Sequence, residues 1–116
     1  MSHLRALNIR TNQVLAGQVQ VAASFYHRTK GLLGRAGMKK GEGLYITQCS
    51  SIHTFFMRFS IDILFLDKER KITKMVSKLK PFRVAFGARR TIGVLELPEG
   101  TVDKNQCEIG DLISLE

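Results

Sequence analysis

The run Ile61-Asp62-Ile63-Leu64-Phe65-Leu66 constrains this chain more than any other stretch. It is apolar at positions of both parities and shows no helical period, so it reads as a strand covered on both faces. Such a strand belongs in the middle of a sheet. Asp62 is the only charged residue between Arg58 and Asp67. Burying a carboxylate there is costly unless it finds a partner. Two roles are open to it. It satisfies loop N–H groups or pairs with an arginine such as Arg35, or it is the polar anchor of a small pocket with His53 and Thr54.

The other apolar stretches are short and mostly two-fold in period. Val19 and Val21 alternate with Gln18 and Gln20, as in a half-buried strand. Leu4 to Ile9 reads as an earlier strand that ends at the turn-prone Thr11-Asn12, and Leu44 to Thr47 as a later one. Asp67-Lys68-Glu69-Arg70 turns the chain into a more polar, edge-like strand from Lys71 to Leu79, which Pro81 ends. Ile92 to Leu97 and Leu112 to Leu115 complete the set, set off by Pro98-Glu99-Gly100 and Gly110-Asp111. Ser24 reads as the N-cap of a short helix, Phe25 to Leu33, stopped by Gly34. Six or more short strands with one short helix predict a mainly β fold, a small antiparallel β-sandwich or partly closed barrel.

A chain of 116 residues with 44% hydrophobic residues fits a single domain, 1–116. No window approaches the roughly 18 consecutive apolar residues of a membrane span. The stretch Met1 to Asn8 lacks the apolar core of a secretory signal, so a cytosolic monomer is expected. Cys49 and Cys107 are expected to be thiols in that setting. The net charge of +8 is unevenly spread. Glu42 is the first acid in the chain, and a second basic stretch from Lys68 to Arg90 is interrupted only by Glu69. Beyond Thr91 the balance turns acidic. Basic faces of this kind attract nucleic acid, anionic lipid or acidic partners.

Several blocks taken together resemble a known family. They are Gly31-Leu32-Leu33-Gly34-Arg35, then Gly43-Leu44-Tyr45-Ile46, then Ile52-His53-Thr54-Phe55-Phe56-Met57-Arg58-Phe59-Ser60 running on to Asp67. Lys80-Pro81, Ala88, Leu95-Glu96-Leu97, Gly100 and Gly110-Asp111 follow. The pattern, from about Ser24 to the C-terminus, is similar to the bacterial and archaeal family called domain of unknown function 192. This chain departs from it at Phe56-Met57-Arg58-Phe59, where the commoner pattern has Trp-Met-Lys-Asn, and at Ser60, where many members have Pro. The resemblance implies a small barrel-like or sandwich β domain and brings no catalytic residues. It also places an arginine just after the helix, which makes Arg35 the first choice of partner for Asp62.

Cys49, His53 and Met57 stand four residues apart, a soft-metal set on one face of a strand or helix. Eight residues of strand span roughly 26 Å, too far for one ion, so no metal or other cofactor is expected. Cys49 and His53 have no oxyanion hole beside them in the sequence, so no catalytic residues are assigned to the pair. Phe82 and Phe86 among Lys78, Lys80, Arg83, Arg89 and Arg90 would suit a phosphate backbone with stacked bases, although phenylalanines of β proteins usually lie in the core. The leading expectation is a non-enzymatic module for a small anionic ligand or acidic protein. Its site would take Cys49, His53, Thr54, Met57 and Asp62, with Arg35, Lys80 and Arg83 nearby. The alternatives are a nucleic-acid-binding β domain and a small hydrolase-like enzyme using His53 and Asp62.

Overall fold

The computed structural model describes residues 4–23, 32 and 35–116. Its strands are β1 (Leu4–Asn8), β2 (Gln13–Ala22), β3 (Glu42–Thr47), β4 (Ser51–His53), β5 (Ile61–Leu66), β6 (Ile72–Leu79), β7 (Val84–Phe86), β8 (Gly93–Pro98) and β9 (Ile113–Leu115). The helix α1 (Thr101–Lys104) was not foreseen: Pro98-Glu99-Gly100, read as a stop, delivers the chain into one helical turn. The helix expected over Phe25 to Leu33 lies outside the described residues.

Seven strands form one curled sheet in the order β6-β5-β8-β3-β2-β1-β9, and β4 pairs with β7 in a small second sheet. All six residues of β5 are buried, as its composition requires. It lies between β6 and β8, and β6 is an edge strand as expected. The antiparallel expectation needs one correction, because β2 and β3 run parallel. Parallel neighbours need a crossover of about a dozen residues or more, and the chain between Ala22 and Glu42 is long enough to supply it.

The two edges of the sheet meet at one corner, which curls it into a half-barrel. Ile72 donates its amide to the Asp111 carbonyl (2.9 Å) and Ile113 donates to the Arg70 carbonyl (2.9 Å). Asp111 fastens the same corner to the β1 end. Its carboxylate accepts Arg10 Nε (2.6 Å), Arg10 Nη2 (3.1 Å), Asn8 Nδ2 (2.8 Å) and the Glu108 amide (2.8 Å). The guanidinium of Arg10 and the other donors hold the Asp111 carboxyl down at about 2.

Alternation along the strands divides the apolar residues between two cores. Leu64, Leu66, Leu95 and Leu97 join residues of all seven strands in the first core, which also takes Val102 of α1. Ile61, Ile63, Phe65 and Val94 face the second, which Ile52 of β4 and Ala85 of β7 help to cover. Glu96 alternates with Leu95 and Leu97 and so falls on the second face, opposite Leu44 of β3 and Ile63 of β5. Its Oε1 has no hydrogen-bond partner among the described residues. Burial alone pushes its carboxyl up to about 8.

These two carboxyls bound the pH range of greatest stability. Asp111 is more acidic folded than unfolded, so its contribution is present above about 4 and is lost as pH falls towards about 2. Asp111→Asn should cost about 1 kcal/mol at neutral pH, allowing for the exposure of Arg10, and should flatten that acid limb in urea titrations. Glu96 is less acidic folded than unfolded, so stability falls as pH rises from about 4.5 to about 8. Glu96→Gln should leave the melting temperature nearly unchanged near the lower value and raise it by about 5 °C or more near the upper one. A variant whose pH profile runs parallel to wild type would contradict this account of Glu96.

Candidate functional site

Asp62 sits where β6 bulges. Opposite β5, the register runs from Ile61↔Leu79 to Ile63↔Val76, so Ser77 and Lys78 together face Asp62. Lys78 has φ +55° there, and a bulge of this kind leaves a ladder amide without its strand partner. Asp62 Oδ1 accepts that Lys78 amide (2.9 Å), and Oδ2 accepts the Val102 amide of α1 (2.8 Å). The carboxylate is fully buried on the face of the first core. The expected partner is therefore wrong: Arg35 pairs with Glu42 instead (2.8 Å). The sequence carries no mark of a bulge or of a one-turn helix, and both supply donors that an arginine was expected to provide.

His53 lies towards the opposite face of the main sheet from Asp62. It is an exposed residue of β4, whose buried neighbour Ile52 packs in the second core. The pocket shared by His53, Thr54 and Asp62, and the hydrolase-like pair of His53 and Asp62, are thus ruled out by strand alternation. Met57 is buried in the second core, and Cys49 packs at its margin with Sγ donating to the Ser51 carbonyl (3.0 Å). His53 faces solvent while Met57 is buried, so Cys49, His53 and Met57 do not share one face. Among the described residues no three His, Cys, Asp or Glu side chains gather as metal ligands, and no disulfide joins Cys49 to Cys107. Burial pushes the Cys107 thiol up to about 11, which leaves it a poor nucleophile. Arg35 lines an open depression of about 540 Å³ with Ala36, Gly37, Met38, Lys39 and Glu42, apart from the other candidates. Its guanidinium, with the Lys39 amide, lowers the pKa of Glu42.

Thr54, Lys80, Arg83 and His53 do come together. Thr54 is fully buried and ties two loops at once. Its amide donates to the Arg83 carbonyl (2.8 Å), and its carbonyl accepts the amides of Phe82 (2.9 Å) and Met57 (3.2 Å). Its hydroxyl donates to the Lys80 carbonyl (2.6 Å) and accepts the Arg83 amide (2.9 Å). These bonds satisfy backbone groups that the short β4 and β7 cannot pair. They also hold two phenylalanines in an unusual state. Phe56 (φ +64°) and Phe82 (φ +62°) are both left-handed, a conformation bulky residues avoid. Both are exposed, Phe56 by 76% and Phe82 by 55%.

An aromatic rim results. The ring centroids of Phe56 and Phe82 lie 5.9 Å apart edge to face, Phe55 lies 6.4 Å from Phe82, and His53 stacks on Phe55 at 5.1 Å. In the small sheet Ile52 and Ala85 point to the core while His53, Val84 and Phe86 point to solvent. Lys74 donates from Nζ to the Phe86 carbonyl (2.8 Å), placing an ammonium at that end. No acidic residue occurs between Lys71 and Leu95, or between Cys49 and Ile61. Phe82 and Phe86, expected in the core, are on the surface: β7 has three residues and buries only Ala85, and Phe82 lies in the loop before it. Phe55 and Phe56 belong to the site as well, and their signal in the sequence is an aromatic pair two residues before Arg58. Glu96 carries the signal that marks Asp62 too: one acid in an apolar strand.

No helix among the described residues is long and apolar enough to cross a membrane. The solved structure of a protein of unknown function from Novosphingobium aromaticivorans DSM 12444 superposes with a TM-score of 0.83 at 18% identity, over 97% of this chain and 83% of that one. A proposed transcription regulator from Sinorhizobium meliloti 1021 gives 0.82 at 20% identity, over 99% and 96%. At such identities the likeness concerns the fold alone. In sequence, the chain is 34% identical to a UPF0127 protein of Pyrococcus horikoshii over 92% of its own length and 95% of the relative's. A UPF0127 protein of Thermococcus sibiricus is 30% identical over 95% and 73%. The model of DUF192, described as an uncharacterised ACR, matches residues 7–115, and this chain belongs to that family.

Proposed function

We propose that this chain is a non-catalytic binding domain for an anionic partner, and that it makes contact through the rim of the small sheet. The observation that carries this reading is the pair Phe56 and Phe82, exposed and held in left-handed backbone by Thr54. Backbone strain of this kind costs about 1–3 kcal/mol per residue and persists where the surroundings over-determine it, commonly at binding sites. Exposed apolar surface in a fixed shape favours contact with something else. Lys80 and Arg83, which flank Phe82 in sequence, and Lys74, bound to the Phe86 carbonyl at the other end of the small sheet, have no acid among them in sequence and select for negative charge. The reading takes residues 1–116 as one domain acting as a monomer in the cytosol.

Arg83 and Lys80 replace the larger expected set. Asp62 and Met57 are buried away from this surface, and Arg35 pairs with Glu42 at a separate depression, so the reading does not use them. Short inorganic polyphosphate, titrated into the isotope-labelled protein, should give saturable shifts at residues 53–59 and 80–87. Those shifts should weaken with added salt, and Lys80→Ala with Arg83→Ala should reduce the affinity severalfold. Shifts confined to the depression around Arg35 and Glu42, or scattered over all lysines, would refute the rim as the contact surface.

A further inference from the structure

The rim holds more than a charge pattern, and its apolar and polar parts are interleaved. His53 stacks on Phe55, Arg83 follows Phe82 in sequence, and Arg58 lies two residues beyond Phe56. The Phe55 amide donates to His53 Nδ1 (3.3 Å), which leaves Nε2 to carry the imidazole proton as a donor. A ligand that fits must offer flat π faces, polar edges close to them, and repeated negative charge. From this we infer that the occupant is single-stranded nucleic acid, with bases on Phe56, Phe82 and Phe55 and phosphates on Arg83, Lys80 and Lys74.

This rests on the rim being the anionic contact surface and specifies what it contacts. Two observations favour it over an anionic membrane. Thr54 holds the backbone that carries Phe56 and Phe82, and their rings meet edge to face, which suits a stacking platform formed before the bases arrive. Hydrocarbon would have to receive Arg83 and His53 along with the phenylalanines, and burying those polar groups is unfavourable. Bases accept both: every base has a π face for a ring or a guanidinium and an edge for a donor. A duplex fits less well, because its bases are already stacked and present only groove edges.

The test is fluorescence anisotropy of labelled oligothymidylate with the full chain, at about 50 mM and about 200 mM salt. Binding should fall steeply between the two, and the matching duplex should bind more weakly. Phe56→Ala with Phe82→Ala should lower oligothymidylate affinity about tenfold or more, in line with the loss of stacked bases. Polyphosphate has no π face to stack, so its affinity should fall much less in the same variant, and circular dichroism should show it folded, both side chains being exposed. Arg83→Ala should weaken binding and reduce the salt slope by about one phosphate. If polyphosphate binds at the rim but the phenylalanine variant holds oligothymidylate as tightly as wild type, the nucleic-acid inference is overturned and the anionic surface stands. Tighter binding to phosphatidylserine vesicles, lost in the phenylalanine variant, overturns it in favour of a membrane. Absence of binding by both polyphosphate and oligothymidylate overturns both readings.

Discussion

A strand buried on both faces has nowhere to put a charge unless the surrounding backbone is shaped to receive it, and β5 meets that condition at Asp62. The β6 bulge turns the Lys78 amide inward, and α1 starts with the Val102 amide aimed at the same carboxylate. One side chain thereby ties the β5–β6 hairpin to α1, some way further along the chain. Removing it would leave two buried donors unpaired, each a loss of about 1–3 kcal/mol. The corner where the sheet closes repeats the device, with Asp111 gathering Arg10, Asn8 and the Glu108 amide. Carboxylates with backbone and side-chain donors thus fasten the half-barrel at two places that apolar packing alone would not fix.

The other face of the sheet is organised differently. Its core is covered partly by two three-residue strands, which present Ile52 and Ala85 inward and leave their remaining side chains in solvent. So thin a cover cannot hold its loops by ladder bonds, and Thr54 does so instead from a fully buried position. The consequence is an outer surface with fixed rings and basic side chains. Asp62 therefore belongs with the scaffold, and Thr54 links the scaffold to the contact surface.

How far the sequence was legible follows from which forces are local. Ile61 to Leu66 showed its double burial because continuous apolar composition is itself the signal. The edge role of β6 and the turns at Thr11-Asn12 and Asp67 to Arg70 were readable from polar alternation and turn residues; Asp67 Oδ1 accepts the amides of Glu69 and Lys71, as such a turn requires. The demand of Asp62 for donors was legible too, but their identity was not. A bulge depends on the register of two strands, and Arg35 has a nearer acid in Glu42. The exposure of Phe82 and Phe86 has a related cause. Aromatic residues go inside when enough neighbours cover them, but Phe86 stands on β7, whose one partner is β4, and Phe82 lies in the loop before it. The parallel β2–β3 pair likewise depends on the crossover between them, which no local period records.

The central claim is that Asp62 is part of the scaffold rather than the anchor of a pocket. Urea denaturation of Asp62→Asn against wild type tests it most directly. An asparagine can accept one of the two amides but must turn its own NH2 towards the other, so the unfolding free energy should fall by about 1–3 kcal/mol with little change in m-value. An unchanged or higher midpoint would contradict the account, because polar groups held for a ligand are commonly neutral or costly in the free protein.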